Sequence, residues 1–209
     1  MRKIMVAVPC MDTAPVEFAA SLTALASYGV EDALISYQWN KGTLVYISRD
    51  QLAEVALSEP SDLVMWFDTD MVFPPDTLRR LLKHIDAGAD IVTGVYYRRK
   101  PPYTATVFKT LEPDAETKRI AWTDFDEIPD EPFEVAGCGF GCVLMRTEVF
   151  AAVFAKFGQL FAPVFGLGED LSFCLRARQL GYKILADPTV NLGHVGYIVV
   201  DKSTRGIQL

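Results

Sequence analysis

The sequence predicts an α/β fold, one central sheet with helices on its faces, and three observations carry that expectation. Short, nearly continuous apolar runs, "KIMVAVP" (Lys3 to Pro9), "LVMWF" (Leu63 to Phe67) and "DIVTGVYY" (Asp90 to Tyr97), read as strands buried on both faces. Stretches of helical periodicity alternate with them, the pattern of a sheet sandwiched by helices. The 209 residues, 50% of them hydrophobic, suffice for one sizeable core and contain neither an internal repeat nor a linker. A single domain over residues 1–209 is expected.

The elements follow in order. After the first strand, Val16, Phe18, Ala19, Leu22, Leu25 and Ala26 recur at helical spacing, with Gly29 as the stop. "DALISYQ" (Asp32 to Gln38) and "TLVYIS" (Thr43 to Ser48) each read as a strand, separated by the turn chemistry of "WNKG". A helix is expected over Asp50 to Ser58, broken by Pro60. Beyond "LVMWF", Pro74-Pro75 precede a helix with Asp76 in its first turn, where the helix dipole favours an anion. Leu78, Leu81, Leu82 and Ile85 form its inner stripe and Gly88 ends it.

The polar, acidic, turn-rich segment 109–133 reads as a variable loop or hairpin insertion. "EVAGCGFGCVLMR" (Glu134 to Arg146) sets Gly137, Gly139 and Gly141 at alternate positions. That spacing suits an extended backbone approached closely by a ligand, or a tightly packed strand pair. A helix over Thr147 to Phe157 follows. Another, after "GLGED", turns Leu171, Cys174, Leu175 and Leu180 inward, stops at Gly181 and leads to a short strand.

A net charge of −7 excludes a broad phosphate-binding surface, leaving "YYRRKPP" (Tyr96 to Pro102) as a solvated loop or a local strip able to meet an anion. Cys10, Cys138, Cys142 and Cys174 form no CxxC pair and read as reduced, mostly buried thiols of a cytosolic protein. The opening "MRKIMVAVPCMD" has too short an apolar run for a signal peptide, and no stretch approaches a transmembrane segment in length. A soluble, cytoplasmic protein is the expectation.

The chemistry begins at "WFDTDMV". Asp68 and Asp70 lie just past the carboxyl end of a buried strand, where open α/β sheets bind ligands. Two carboxylates so close repel each other, and a divalent cation removes the conflict while clamping a diphosphate; a turn capped by aspartates is the plainer alternative. Glu169 and Asp170 open a helix, as N-terminal caps or as a carboxylate base kept ionised by the dipole. His194, in "NLGHVG", stands between glycines in apolar surroundings; alone it would be a satisfied core residue, and beside a pair of aspartates it becomes a metal ligand. His84, beside Lys83 on the exposed side of a helix, receives no role.

In this order, the strand ending in Pro9, "SRDQLAEVAL", "WFDTDMVFPPDTLRRLL", "VAGCGFGCVLMRTEVF", "GEDLSFCLRARQLGYKI" and the late "HVG", the chain resembles GT-A-fold glycosyltransferases of the family 2-like group. The resemblance spans nearly the whole chain and rests on order and spacing. It implies a GT-A (Rossmann-like) domain with a mixed, mostly parallel central sheet. It further implies transfer of a sugar, a hexose expected, from a nucleotide-diphosphate sugar to an acceptor hydroxyl with Mn²⁺ or Mg²⁺. By position, Asp70 would be the principal metal ligand, Asp68 would contact the donor's ribose or the metal's water shell, and His194 would complete the metal site. Asp170 would be the base, predicting inversion, with Glu169 as neighbour or substitute. Pro9 would border the nucleotide base, Arg49 would approach the donor's phosphates or sugar, and Gly137 and Gly139 would lie under sugar and acceptor.

The compact form, without a long C-terminal helical region, is similar to bacterial or bacteriophage stand-alone transferases, hence a bacterial or host cytoplasm. A saccharide, a lipid-linked glycan, a protein or a modified DNA base could accept, although the acidic balance disfavours DNA. The rival enzyme is a haloacid-dehalogenase-like phosphatase with Asp68 as nucleophile and Asp70 as acid/base. Against it, an α/β unit precedes the motif, and Phe173 stands where a later aspartate is needed. A non-catalytic nucleotide-sugar-binding module and a nucleotidyltransferase are the remaining alternatives.

Overall fold

A computed structural model describes residues 1–59, 61–114, 116–117, 119–164 and 166–196. In chain order, β1 (Arg2–Cys10), α1 (Val16–Tyr28), β2 (Ala33–Lys41), α2 (Val45–Ser58), β3 (Leu63–Phe67), β4 (Met71–Val72), α3 (Thr77–Asp86) and β5 (Ile91–Val95) make the first half. The second half holds β6 (Val107–Pro113), β7 (Ile120–Asp124), β8 (Phe133–Val135), β9 (Gly137–Cys138), β10 (Cys142–Arg146), α4 (Thr147–Phe157), α5 (Glu169–Gln179), β11 (Ile184–Asn191) and β12 (Gly193–His194).

Seven strands form the main sheet in the order β2-β1-β3-β10-β5-β11-β8. Strands β2, β1, β3, β5 and β11 run one way, while β10 and β8 oppose them. Because successive strand residues point to opposite faces, each central strand feeds two cores. Met5, Ala7, Val64, Trp66, Val143 and Met145 meet α2, α4 and α5 on one face. Ile4, Val6, Leu63, Met65, Phe67 and Leu144 meet α1 and α3 on the other. Burial on both faces explains why these strands are apolar without alternation.

The stretch Thr43 to Ser48 is not the expected strand: α2 begins at Val45. Its buried residues Ser48, Arg49, Leu52, Ala53 and Ala56 recur at helical spacing, so packing overrides the β-branched composition of the first turn. Pro60, expected to break this helix, lies outside the described residues; the helix ends at Ser58. The "WNKG" turn is shorter than expected. Trp39 to Lys41 continue β2, and the chain turns at Gly42, whose N–H donates to the carbonyls of Cys10 (3.1 Å) and Met11 (3.0 Å).

The segment 109–133 is part of an antiparallel hairpin of β6, which starts before it, and β7, extended by β9 beyond it to a three-stranded sheet. In α5, Phe173 and Arg176 are buried, whereas Leu175 and Leu180 are only partly so. Arg176 donates to the carbonyls of Leu160 (2.7 Å) and Ala162 (2.6 Å), fixing the loop that leads into α5. All four cysteines are buried thiols. Among the described residues no helix is long and apolar enough to cross a membrane.

Candidate active site

The acidic turn after β3 is built by backbone bonds. Asp68 N–H donates to the Gly141 carbonyl at 3.2 Å, and Met71 N–H returns to the Asp68 carbonyl at 3.2 Å. The chain then forms β4, which pairs with β12 so that His194 stands opposite Met71, and Val195 N–H donates to the Asp70 carbonyl at 2.8 Å. This two-stranded ribbon carries His194 to Asp70: its Nε2 lies 3.3 Å from Asp70 Oδ2. Its Nδ1 lies 2.8 Å from the Tyr97 carbonyl, which can only accept, so Nδ1 bears the hydrogen and Nε2 faces the carboxylate.

Charges around Asp70 reinforce one another. Arg99 Nη1 is 3.0 Å from the same Oδ2. Burial alone would raise the Asp70 pKa; hydrogen bonding to His194 and the charges of His194 and Arg99 outweigh it and hold the carboxyl below its usual range. Burial pulls His194 down, but the Asp70 hydrogen bond and the Tyr97 carbonyl raise it on balance.

Asp68 turns to another partner. Arg49, on α2 and only 2% exposed, places Nη2 2.8 Å from Asp68 Oδ1 and Nε 3.5 Å from Glu169 Oε1. Its guanidinium lies 5.7 Å from the Trp66 ring and 5.3 Å from the Phe140 ring. Beneath, Phe161 and Phe173 stack at 4.7 Å, and Phe140 and Phe150 close the aromatic cluster. Burial would lower the Arg49 pKa; Asp68, Glu169 and Asp170 raise it on balance, so it stays charged. Arg49 Nη1 is buried without a hydrogen-bond partner, an unspent donor at the site.

Glu169 and Asp170 begin α5 after Gly168. Burial, then the adjacent charge of Glu169, pushes Asp170 up to about 6 despite the 2.7 Å bond it accepts from Leu171 N–H. A carboxylate so poised is ionised at neutral pH and basic enough to take a proton.

Of the glycines, Gly137 leaves room for Leu111 and Leu171, each 2.9 Å from where its Cβ would be. Tyr96 fills the space beside Gly139 and Gly141, and Gly141 N–H donates to its hydroxyl at 3.0 Å. The close approach to these three positions is thus made by the protein's own side chains. Tyr96 also meets His194 edge-to-face at 5.2 Å. Pro9 is buried near the end of β1, opposite Asn40 of β2.

Sequence reasoning missed Tyr96, Arg99 and the Tyr97 carbonyl as parts of this site; the one available signal was the cationic "YYRRKPP" strip. His84 does have a partner. Its Nε2 lies 2.8 Å from Asp187 Oδ2, at the point where the register of β11 against β5 shifts.

A divalent cation fits the Asp70–His194 pair on donor chemistry. Carboxylate oxygen and imidazole nitrogen suit Mn²⁺, and such ions complete their shells with water and substrate phosphate. Among the described residues, no group of three or more His, Cys, Asp or Glu is arranged to hold a metal alone.

A mixed, mostly parallel Rossmann-like sheet, flanked by helices and carrying an acidic turn at the end of a central strand, is the GT-A architecture. The chain belongs to glycosyl transferase family 2, whose family model matches residues 35–154, and it is a glycosyltransferase by that membership. The match includes Asp68, Asp70 and the glycine-rich strands; Arg49 and the β4–β12 ribbon tie the later Glu169 and His194 to it. Among solved structures the fold is similar to the crystal structure of A197 from STIV, with a TM-score of 0.67 and 18% identity over 94% of this chain and 87% of that one. No curated protein sequence matches. The phosphatase, binding-module and nucleotidyltransferase alternatives find no support in these comparisons.

Proposed function

We infer that the protein transfers a sugar, a hexose on our reading, from a nucleotide-diphosphate sugar to an acceptor hydroxyl with inversion, aided by Mn²⁺ or Mg²⁺. One observation supports this reading: Arg49 bridges Asp68 of the acidic turn to Glu169 at the α5 start, so the carboxylates we assign to the donor side and to the base side gather around one guanidinium.

Asp70 and His194 would hold the cation, with Asp68 beside the donor's ribose or the metal's water shell. When bound, the ion supplies positive charge that stabilises the negative charge developing on the leaving diphosphate. Asp170 accepts the proton of the acceptor hydroxyl; the freed oxygen attacks the anomeric carbon, and the bond to the diphosphate oxygen breaks with its electron pair leaving on the diphosphate. Burial first, and then the adjacent charge of Glu169, keep Asp170 basic. Arg49 Nη1 is a donor for the sugar or phosphate and Pro9 borders the base; Gly137 and Gly139, whose neighbouring space is taken by Leu111, Leu171 and Tyr96, have no ligand contact in this reading. The acceptor is a saccharide, lipid-linked glycan, protein or modified DNA base.

The deciding experiment is a nucleotide-sugar panel scored for Mn²⁺-dependent binding and slow donor hydrolysis. One donor should bind and hydrolyse only with the metal, and Asp70→Ala should abolish both. Metal-independent behaviour, or release of phosphate from simple esters that Asp68→Asn blocks, would overturn the reading.

A further inference from the structure

We propose that Arg99 is a displaceable counter-cation, which neutralises Asp70 until a divalent cation and a nucleoside diphosphate arrive together and then swings into the adjacent cavity to grip the diphosphate. The proposal rests on the metal reading of Asp70 and His194 given above.

Arg99 Nη1 and His194 Nε2 converge on one oxygen, Asp70 Oδ2, at 3.0 and 3.3 Å. A cation held between this oxygen and His194 Nε2 would take the direction the imidazole now faces and leave Arg99 on the other side of the same oxygen. A divalent cation at this oxygen would also stand within a few ångströms of the guanidinium, and like charges that close repel strongly. His194 is the other candidate ligand, so Arg99 is the group that the cation's charge drives away.

It can leave cheaply. The Arg99 side chain is 46% exposed, and ion pairs so wet are weak. Its only other partner is the Val195 carbonyl at 3.4 Å among the described residues. The backbone need not move, because the 97–105 tip is closed by the Tyr97–Ala105 bridge, Arg98 N–H to the Thr104 carbonyl (2.9 Å) and Tyr103 N–H to the Lys100 carbonyl (2.9 Å).

It also has somewhere to go. A cavity of about 320 Å³ opens beside the pair, lined by Tyr97, Arg98, Arg99, Tyr103 and His194. Arg98 lines the same cavity with its guanidinium over the Phe108 ring, but Arg99 is the one that touches Asp70 and is set free when a metal takes that carboxylate. Arg99 therefore brings the cation, and a guanidinium fork matches phosphate geometry. Metal and diphosphate binding become coupled: the ion alone must evict Arg99, whereas the ion with a diphosphate gives Arg99 a new partner.

The signature is a pair of opposite effects that mere structural support would not produce. Wild type, Arg99→Gln and Asp70→Ala are titrated with Mn²⁺ alone, following free Mn²⁺ by electron paramagnetic resonance. UDP and GDP binding at saturating Mn²⁺ is then measured by calorimetry. Arg99→Gln should bind Mn²⁺ alone about fivefold tighter, having lost an exposed competitor. It should bind the preferred nucleotide about tenfold weaker, having lost a charged hydrogen bond. Arg99→Lys should recover part of the nucleotide affinity. Unchanged or weaker Mn²⁺ binding in Arg99→Gln, or undiminished nucleotide binding, overturns the proposal; if Asp70→Ala still abolishes Mn²⁺ binding, the metal reading stands without it. Absence of Mn²⁺ binding in all variants overturns both.

Discussion

Arg49 and Asp68 form a 2.8 Å ion pair between α2 and the turn after β3, and the same guanidinium reaches Glu169 at 3.5 Å. One buried cation thus compensates two carboxylates from distant parts of the chain, above an aromatic floor of Trp66 and Phe140. Removing it leaves both carboxylates uncompensated. Arg49→Met should cost about 3 kcal/mol, the usual penalty for orphaning a buried charge, seen as a lower denaturation midpoint. Arg49→Lys should recover only part, since a point charge cannot address both carboxylates as the fork does.

Asp170 gives a pH signature. Its carboxyl, raised to about 6 by burial and by Glu169, must be deprotonated to accept a proton. The transfer rate should therefore fall as pH drops through about 6 and level off above it. Asp170→Asn should keep donor binding and lose transfer by ~10²-fold or more. Steady-state rates across pH, beside donor affinity by calorimetry, check both.

Asp187 is a stability probe away from the site. Burial pushes its pKa up, but hydrogen bonds from Thr189 and His84 overcome this and hold it below the usual carboxylate range. A depressed folded pKa contributes stability above the unfolded value, and that contribution is lost as pH falls through the folded one. Asp187→Asn should cost about 2 kcal/mol at neutral pH, with the difference from wild type shrinking as pH falls below the ordinary carboxylate range. Urea unfolding at several pH values measures it.

Gly139 tests the close approach of Tyr96. A methyl group there collides with the Tyr96 hydroxyl, so Gly139→Ala should destabilise by about 1–3 kcal/mol. Tyr96→Phe removes the colliding atom, although it also deprives Gly141 N–H of its acceptor. Combined, the two changes should cost less than their sum. A double-mutant cycle on unfolding free energies reads the coupling.

Much of this was legible in the residues because strands buried on both faces must be apolar, and Leu63 to Phe67 could scarcely be anything else. Helix α4 coincides with the expected Thr147 to Phe157, since Val149, Phe150 and Val153 recur at helical spacing and are buried, although Phe154 is exposed. The first turn of α2 was not legible: its Val and Ile residues favour strands, and only packing of Ser48 and Arg49 reveals the helical register. In the site, the acidic pairs announced themselves by their cost. Tyr96 did not, because a tyrosine at the end of an apolar strand looks like any core residue until the glycines it fills are seen across the sheet.

The pairing of β12 with β4 has a consequence for biosynthesis. Asp70 and His194 are 124 positions apart, so the imidazole reaches its carboxylate only after nearly all the intervening chain has been made and folded. A nascent polypeptide halted on the ribosome before Leu192 can assemble most of the sheet yet lacks this half of the constellation. The Asp70–His194 contact is therefore among the last long-range contacts the growing chain can close, and it waits on the pairing of this ribbon.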